Sequence, residues 1–227
     1  MRKFDLKVLL ILSLGHLVVD IYQGALPAIL PFLKEKLDLT YAMTGMILMA
    51  SNFTSSILQP VFGYVSDKKA MAYLLPLGLV AAGVGFSVLP FSPYFLLILG
   101  LVIISGLGVA SYHPEGYKTA HFFTGDRPAT GMSVFSVGGN VGFSLGPILS
   151  MYIIDLYGFP WLPVIVVPSL LCAAVIVAYR RTIMVPVAVH GEAARREAPK
   201  TSSVEYIALA MVILIVVMRS WTQIGLM

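Results

Sequence analysis

Long apolar runs, separated by short polar or proline-containing connections, dominate the chain. Seven can be counted, at about 7–33, 42–65, 71–89, 94–122, 129–156, 160–180 and 204–226. Runs of roughly 20 apolar residues match the thickness of a bilayer core when helical. The strands of a membrane barrel are about ten residues long and alternating, and these segments are neither. The pattern therefore predicts an all-α integral membrane protein. Pro90-Phe-Ser-Pro93 and Gly158-Phe-Pro160 divide neighbouring runs tightly, as antiparallel adjacent helices require. One connection is long. Residues 182–203 carry Glu192, Arg195, Arg196, Glu197 and two prolines, the composition of a flexible linker. The expected organisation is a six-helix N-terminal bundle over 1–181, a cytoplasmic linker over 182–203 and a seventh transmembrane helix over 204–227.

Composition sharpens this picture. The chain is 58% hydrophobic and 11% charged, against about 25% charged residues in a soluble domain. The net charge of +4 is a matter of placement. With a cytoplasmic N-terminus, that side receives Arg2, Lys3, Lys7, Lys68, Lys69, Lys118, Arg127, Arg180, Arg181, Arg195, Arg196 and Lys200. The outer side receives Lys34 and Lys36. This bias follows the positive-inside rule and predicts the orientation. No basic patch interleaved with aromatics is present, so nucleic acid is not an expected partner. Met1 to Lys7 leads into a run too long for a signal peptide, and that run holds Asp20. The single cysteine, Cys172, lies in an apolar run and reads as packing.

Polar residues inside the runs are the candidate chemistry. His16, Asp20 and Gln23 project from one helical face of the first span. An ionisable group at mid-membrane costs about 2.5–3.5 kcal/mol on insertion scales, so it usually faces a protein interior or a wet cavity. That face is either a proton or substrate site or a polar contact gluing two helices. The fourth span carries Tyr112-His113-Pro114-Glu115-Gly116, in which Pro114 can kink the helix and a His/acid pair can handle protons. The other reading places His113 and Glu115 in the aqueous interface. The last span carries Arg219, suited to a phosphonate or carboxylate unless it snorkels to the interface. Four scattered histidines show no zinc spacing, so no metal is expected. No nucleophile–base constellation emerges, and an enzyme is not expected.

Two further stretches shape helix contacts. Gly63-Tyr-Val-Ser-Asp67-Lys68 joins the second and third spans. Gly138-Gly139-Asn140-Val-Gly142-Phe-Ser-Leu-Gly146-Pro147 lies in the fifth, where Gly142-x-x-x-Gly146 makes a small packing face and Pro147 a bend. The first of these resembles the loop signature of the major facilitator superfamily. The second resembles the fifth-helix motif of its exporters. Together with His16-x-x-x-Asp20 and His113-Pro114-Glu115 they are similar, from about residue 10 to residue 150, to the fosmidomycin-resistance branch of that superfamily. There are departures. Ala70-Met71-Ala72 replaces the basic continuation of the loop, Val102 stands where the family's fourth-span arginine is expected, and Ser150 and Met151 replace glycines.

The resemblance implies a major facilitator fold in which the first, fourth and seventh helices line a central cavity. His16, Asp20, Gln23, His113, Glu115 and Arg219 would then form the substrate and proton pathway. Gly63, Asp67 and Lys68 would form a cytoplasmic gate loop. It implies alternating-access efflux of a small anionic drug or metabolite, with the proton as coupling ion and no other cofactor. The expected location is a prokaryotic plasma membrane. Six spans, a linker and a seventh helix resemble the first part of a longer transporter, so a C-terminal half or a second chain is an expected partner. A non-transporting fragment and a seven-helix receptor or sensor are the competing readings. A retinal-type receptor would need a lysine in the last span, and there is none.

Overall fold

The computed structural model describes residues 3–68 and 71–184, together with the single helical positions 207, 210, 211, 214 and 218. The chain divides into two units, 1–192 and 193–227. Most of the expected linker and seventh helix, including Arg219, lies outside the described residues.

The first unit is helical throughout its apolar runs. Its elements are α1 (Leu6–Leu37), α2 (Tyr41–Asn52), α3 (Gln59–Lys68), α4 (Leu74–Ser87), α5 (Phe95–Phe123), α6 (Pro128–Tyr157) and α7 (Val166–Ala178). Short 3₁₀ turns, Leu89–Phe91 and Phe159–Ile165, extend α4 and precede α7. Among the described residues five helical stretches are long and apolar enough to cross a membrane: Leu6–Leu37, Leu74–Phe91, Phe95–Phe123, Pro128–Tyr157 and Phe159–Ala178.

The second apolar run is helical along its expected span, with an irregular turn inside it. It is split into α2, a π-helical turn (Phe53–Ile57) and α3. The sequence explains the split. Ser51, Asn52, Thr54, Ser55, Ser56 and Gln59 dilute the apolar run, and Pro60 has no backbone N–H to continue the ladder. Side chains take over locally: Thr54 Oγ1 donates to Ala50 O at 2.7 Å, and the Gln59 amide donates to Ser55 O. Such turns are the usual adjustment when a helix must absorb an extra residue.

Helix ends are closed by sequence-local chemistry. Asp5 caps α1 by accepting from the Val8 amide at 3.1 Å, and Thr40 caps α2 by accepting from Met43 at 3.2 Å. At the far end of α1, Asp38 adopts φ 48°, and the Leu39 amide returns to Lys34 O at 3.0 Å. The helix ends sort into two layers. Asp5 donates its amide to Phe123 O at 3.1 Å, Lys7 lies over the Tyr179 ring at 4.7 Å, and Lys118 reaches Ser66 O at 3.1 Å. At the opposite end Lys36 donates to Pro90 O and, at 3.3 Å, to Ser92 O. The helices therefore alternate up and down.

The tightest seam joins α1 to α6. Gly138, Gly142 and Gly146 recur every four residues, so they share one face of α6. A Cβ at Gly142 would sit 2.7 Å from Leu17 C, and one at Gly146 would sit 2.7 Å from Ala25 N. From the other side, a Cβ at Gly24 would meet Phe143 C at 2.9 Å. The two backbones are thus in direct contact, as in small-residue membrane packing. Tyr112 Oη donates to Leu12 O at 2.8 Å and Ser13 Oγ to Val134 O at 2.8 Å, tying α5 and α6 to α1. The outer faces keep large apolar side chains such as Leu10, Leu14, Leu77, Ile148 and Leu171 exposed, which suits lipid and not water.

Candidate functional site

Three helices bring an acid and two imidazoles together. α1 supplies His16 and Asp20 one turn apart, and α5 supplies His113. All three are buried, at 3%, 8% and 9% exposure. His16 Nε2 lies 3.3 Å from Asp20 Oδ2, and His113 Nε2 lies 3.1 Å from Asp20 Oδ1. α6 forms the wall. Its Phe135 ring stacks on His16 at 4.3 Å, and a Cβ at Gly139 would come 2.5 Å from His16 Nε2 and 2.6 Å from Asp20 Oδ2. A side chain at 139 would therefore occupy the space of the cluster.

The remaining ring nitrogens are also engaged. His16 Nδ1 donates to Phe135 O at 2.9 Å, and His113 Nδ1 donates to Val109 O at 2.9 Å. The inward atoms of the three residues lie within 4.8 Å of one another. The two N···O contacts give each of them a protein partner, an arrangement open to acid–base chemistry, and the same three residues could hold a metal ion. A buried carboxylate is tolerated when ion-paired and hydrogen-bonded, and costly otherwise.

Glu115 belongs to a second cluster. It is fully buried, and Lys118 Nζ lies 2.8 Å from its Oε2. Ser66, at the end of α3, donates its hydroxyl to the same Glu115 oxygen. Lys118 also bonds Ser66 Oγ and the Ser66 carbonyl. The pair at 115 and 118 thus fastens α3 to α5 beside the Gly63–Lys68 stretch. Asp67 itself is exposed. Gly63 is looser than its motif suggests: an added Cβ would meet Pro114 Cβ at an ordinary 3.6 Å.

The candidates of the first helical face thus divide. His16, Asp20 and His113 meet. Gln23 lines a separate small cleft with Tyr22, Ser51, Phe86, Ser105 and Gly106. Asn140 is exposed beside the glycine seam, and Pro147 is half-buried within the continuing α6. Sequence reasoning missed Ser66 and Lys118 as partners of Glu115, and Phe135 as partner of His16. Lys118 stands at i+3 from Glu115, a readable pairing signal. Ser66 and the Phe135 carbonyl carry no such signal.

The Ser66 tie is testable. Ser66→Ala removes two charged hydrogen bonds, the one donated to Glu115 and the one accepted from Lys118, each about 1.5–3 kcal/mol at such a site, and leaves the 2.8 Å ion pair in place. Labelling of a cysteine placed at Asp67 is expected to speed up several-fold in this variant. An unchanged rate would mean that the α3 end is held by other contacts.

Comparisons with known proteins agree in kind. The sequence profile of the Major Facilitator Superfamily matches residues 12–226. The chain is similar to the Fosmidomycin resistance protein of Escherichia coli (strain K12), 39% identical over 147 residues, which cover 65% of this chain and 36% of that protein. It is similar to the Uncharacterized MFS-type transporter YfnC of Bacillus subtilis (strain 168), 37% identical over the same shares. The Bacillibactin exporter of B. subtilis is 27% identical over 163 residues, 68% of this chain and 40% of that protein. The chain thus aligns with little more than a third of the length of these relatives.

Proposed function

This chain belongs to the major facilitator superfamily, and from that premise we propose that it forms part of a proton-coupled exporter of small anionic compounds. The observation that carries this reading is the buried His16–Asp20–His113 cluster, where an acid on the first span meets a base on the fourth. In an alternating-access cycle this cluster takes protons from the outer side and releases them to the cytoplasm, and that flow drives an anion outward. The fosmidomycin-resistance relative supports a phosphonate as the substrate class, and Arg219 is assigned to its contact. The Ser66–Glu115–Lys118 tie acts as part of the cytoplasmic gate. A second half, supplied by further sequence or another chain, completes the path.

The test uses everted membrane vesicles with an imposed pH gradient. Adding fosmidomycin is expected to release protons from vesicles carrying the transporter and not from control vesicles. Equal traces in both would overturn the proton-coupled reading.

The orientation proposed is a cytoplasmic N-terminus in a bacterial plasma membrane, supported by the placement of the basic residues. In a Cys172→Ala background, a cysteine at the exposed Asp38 is expected to react with an impermeant maleimide on intact cells. One at the exposed Asp126 is expected to react only after permeabilisation. The reverse pattern would invert the topology.

A further inference from the structure

Both imidazoles of the cluster are fixed in one tautomer by backbone. A carbonyl oxygen can only accept, so the 2.9 Å contacts from His16 Nδ1 to Phe135 O and from His113 Nδ1 to Val109 O each place a hydrogen on Nδ1. In the neutral ring, Nε2 is then a bare acceptor. Each Nε2 faces one oxygen of Asp20, at 3.3 and 3.1 Å, and an ionised carboxylate is also acceptor-only. Asp20 Oδ1 is buried and, among the described residues, has no hydrogen-bond donor other than the one a protonated His113 would supply.

The number of protons follows from counting. With none, lone pairs face lone pairs at both contacts. With one, a single contact closes and the other stays repulsive. With three, the carboxylic O–H points at an Nε2 that already carries hydrogen. Two protons alone make both contacts hydrogen bonds, whether they sit on the two imidazoles or on one imidazole and the carboxyl. We infer that the His16–Asp20–His113 cluster loads and releases two protons, with Phe135 and Val109 acting as positioning residues through their carbonyls. This rests on the proton-coupled reading of the same site and gives it a stoichiometry.

Two neutral imidazoles and a carboxylate carry one negative charge. Adding two protons gives one positive charge, and each proton returns to water on release. Among the described residues the other ionisable side chains nearby include the α5 tyrosines and, beyond Tyr112, Cys172 of α7. Tyr112 is committed to Leu12 O, and the Tyr117 ring lies 5.8 Å from His16. From α6 the cluster meets Phe135 and Gly139, neither of which titrates. The carboxylate of Glu115 is neutralised by Lys118 in its own cluster.

The experiment is proton counting on the purified full-length transporter in lipid nanodiscs, by unbuffered titration, with ¹⁵N-histidine NMR on the same sample. His121 and His190 are replaced by Gln to clear the background. The wild-type cluster is expected to take up two protons, with both Nε2 signals changing and both Nδ1 signals protonated throughout. Asp20→Asn is expected to take up one. Its amide N–H₂ donates to one bare Nε2, so a single proton on the other ring closes both contacts. An uptake of one proton in the wild type, or an Nδ1 that loses its hydrogen before Nε2 does, would overturn the inference. The Nδ1 readout stands even where Asp20→Asn misfolds. Vesicle transport is a separate result: intact two-proton uptake with no fosmidomycin-driven flux removes the exporter reading alone. Normal flux with one-proton uptake removes this inference alone.

Discussion

Gly142→Val is expected to unfold most of the α1–α6 packing and to lower the stability of the chain by about 3 kcal/mol, the upper end for overpacking a close-fitted site. The reason lies in what the new side chain would meet. A Cβ at 142 comes 2.7 Å from Leu17 C and 2.8 Å from Leu17 Cα. These are backbone atoms, so no rotamer change can relieve the clash, and α6 must move off α1. The displacement also reaches Gly139 and Gly146, which touch α1 on the same side. About 3 kcal/mol is over a hundredfold in the folded ratio. The measurement is unfolding in mixed detergent micelles, with Gly45→Ala as control because a Cβ there has nothing within 4 Å. Gly45→Ala is expected to match the wild type. Equal midpoints for all three proteins would show that the seam has slack.

Asp20→Asn is expected to cut proton-driven transport by about tenfold to a hundredfold while the chain still inserts and folds. Hydrogen bonds to charged groups contribute about 1.5–3 kcal/mol each, and a tenfold rate change corresponds to 1.36 kcal/mol. Asparagine keeps the shape and can bridge both histidines, so packing against Gly139 survives. The substitution removes the negative charge. The wild-type cluster passes from negative to positive on loading, whereas the Asn cluster passes only from neutral to positive. Export against a pH gradient, measured in the same vesicles at equal protein, is the readout. Undiminished export in Asp20→Asn would release Asp20 from the coupling role and move the search to Glu115.

Much of the fold was legible because membrane segments must announce themselves. Long apolar runs and proline turns located α1, α4, α5, α6 and the α7 region within a few residues. The second run was the exception. Its hydropathy predicted one span and gave no sign of the π-turn inside it, where Ser, Thr and Gln side chains compete for backbone groups and Pro60 lacks a donor. The glycine face at 138, 142 and 146 was readable from spacing, since small residues four apart can only serve close approach on one side of a helix.

The site was legible in part. Helical spacing fixed His16 and Asp20 on one face, because i and i+4 are neighbours on any helix. It could not say that His113, on another helix, completes the contact while Glu115, two residues further on, does not. Two residues along a helix turn a side chain through about half a circle, so the direction in which α5 faces α1 decides which residue is the partner. That rotation is set by packing: Tyr112 on Leu12 O, and the glycines of α6 drawing α1 inward. The same packing turns Glu115 toward Ser66 and Lys118. The sequence by itself determined the five long described spans and their alternation, because the bilayer forces those into local pattern. Only the tertiary structure decided which of the buried polar groups meet, and which backbone carbonyls face their ring nitrogens. The contacts of His16 with the Phe135 carbonyl and of Asp20 with His113 join residues more than ninety positions apart, and no local rule connects them.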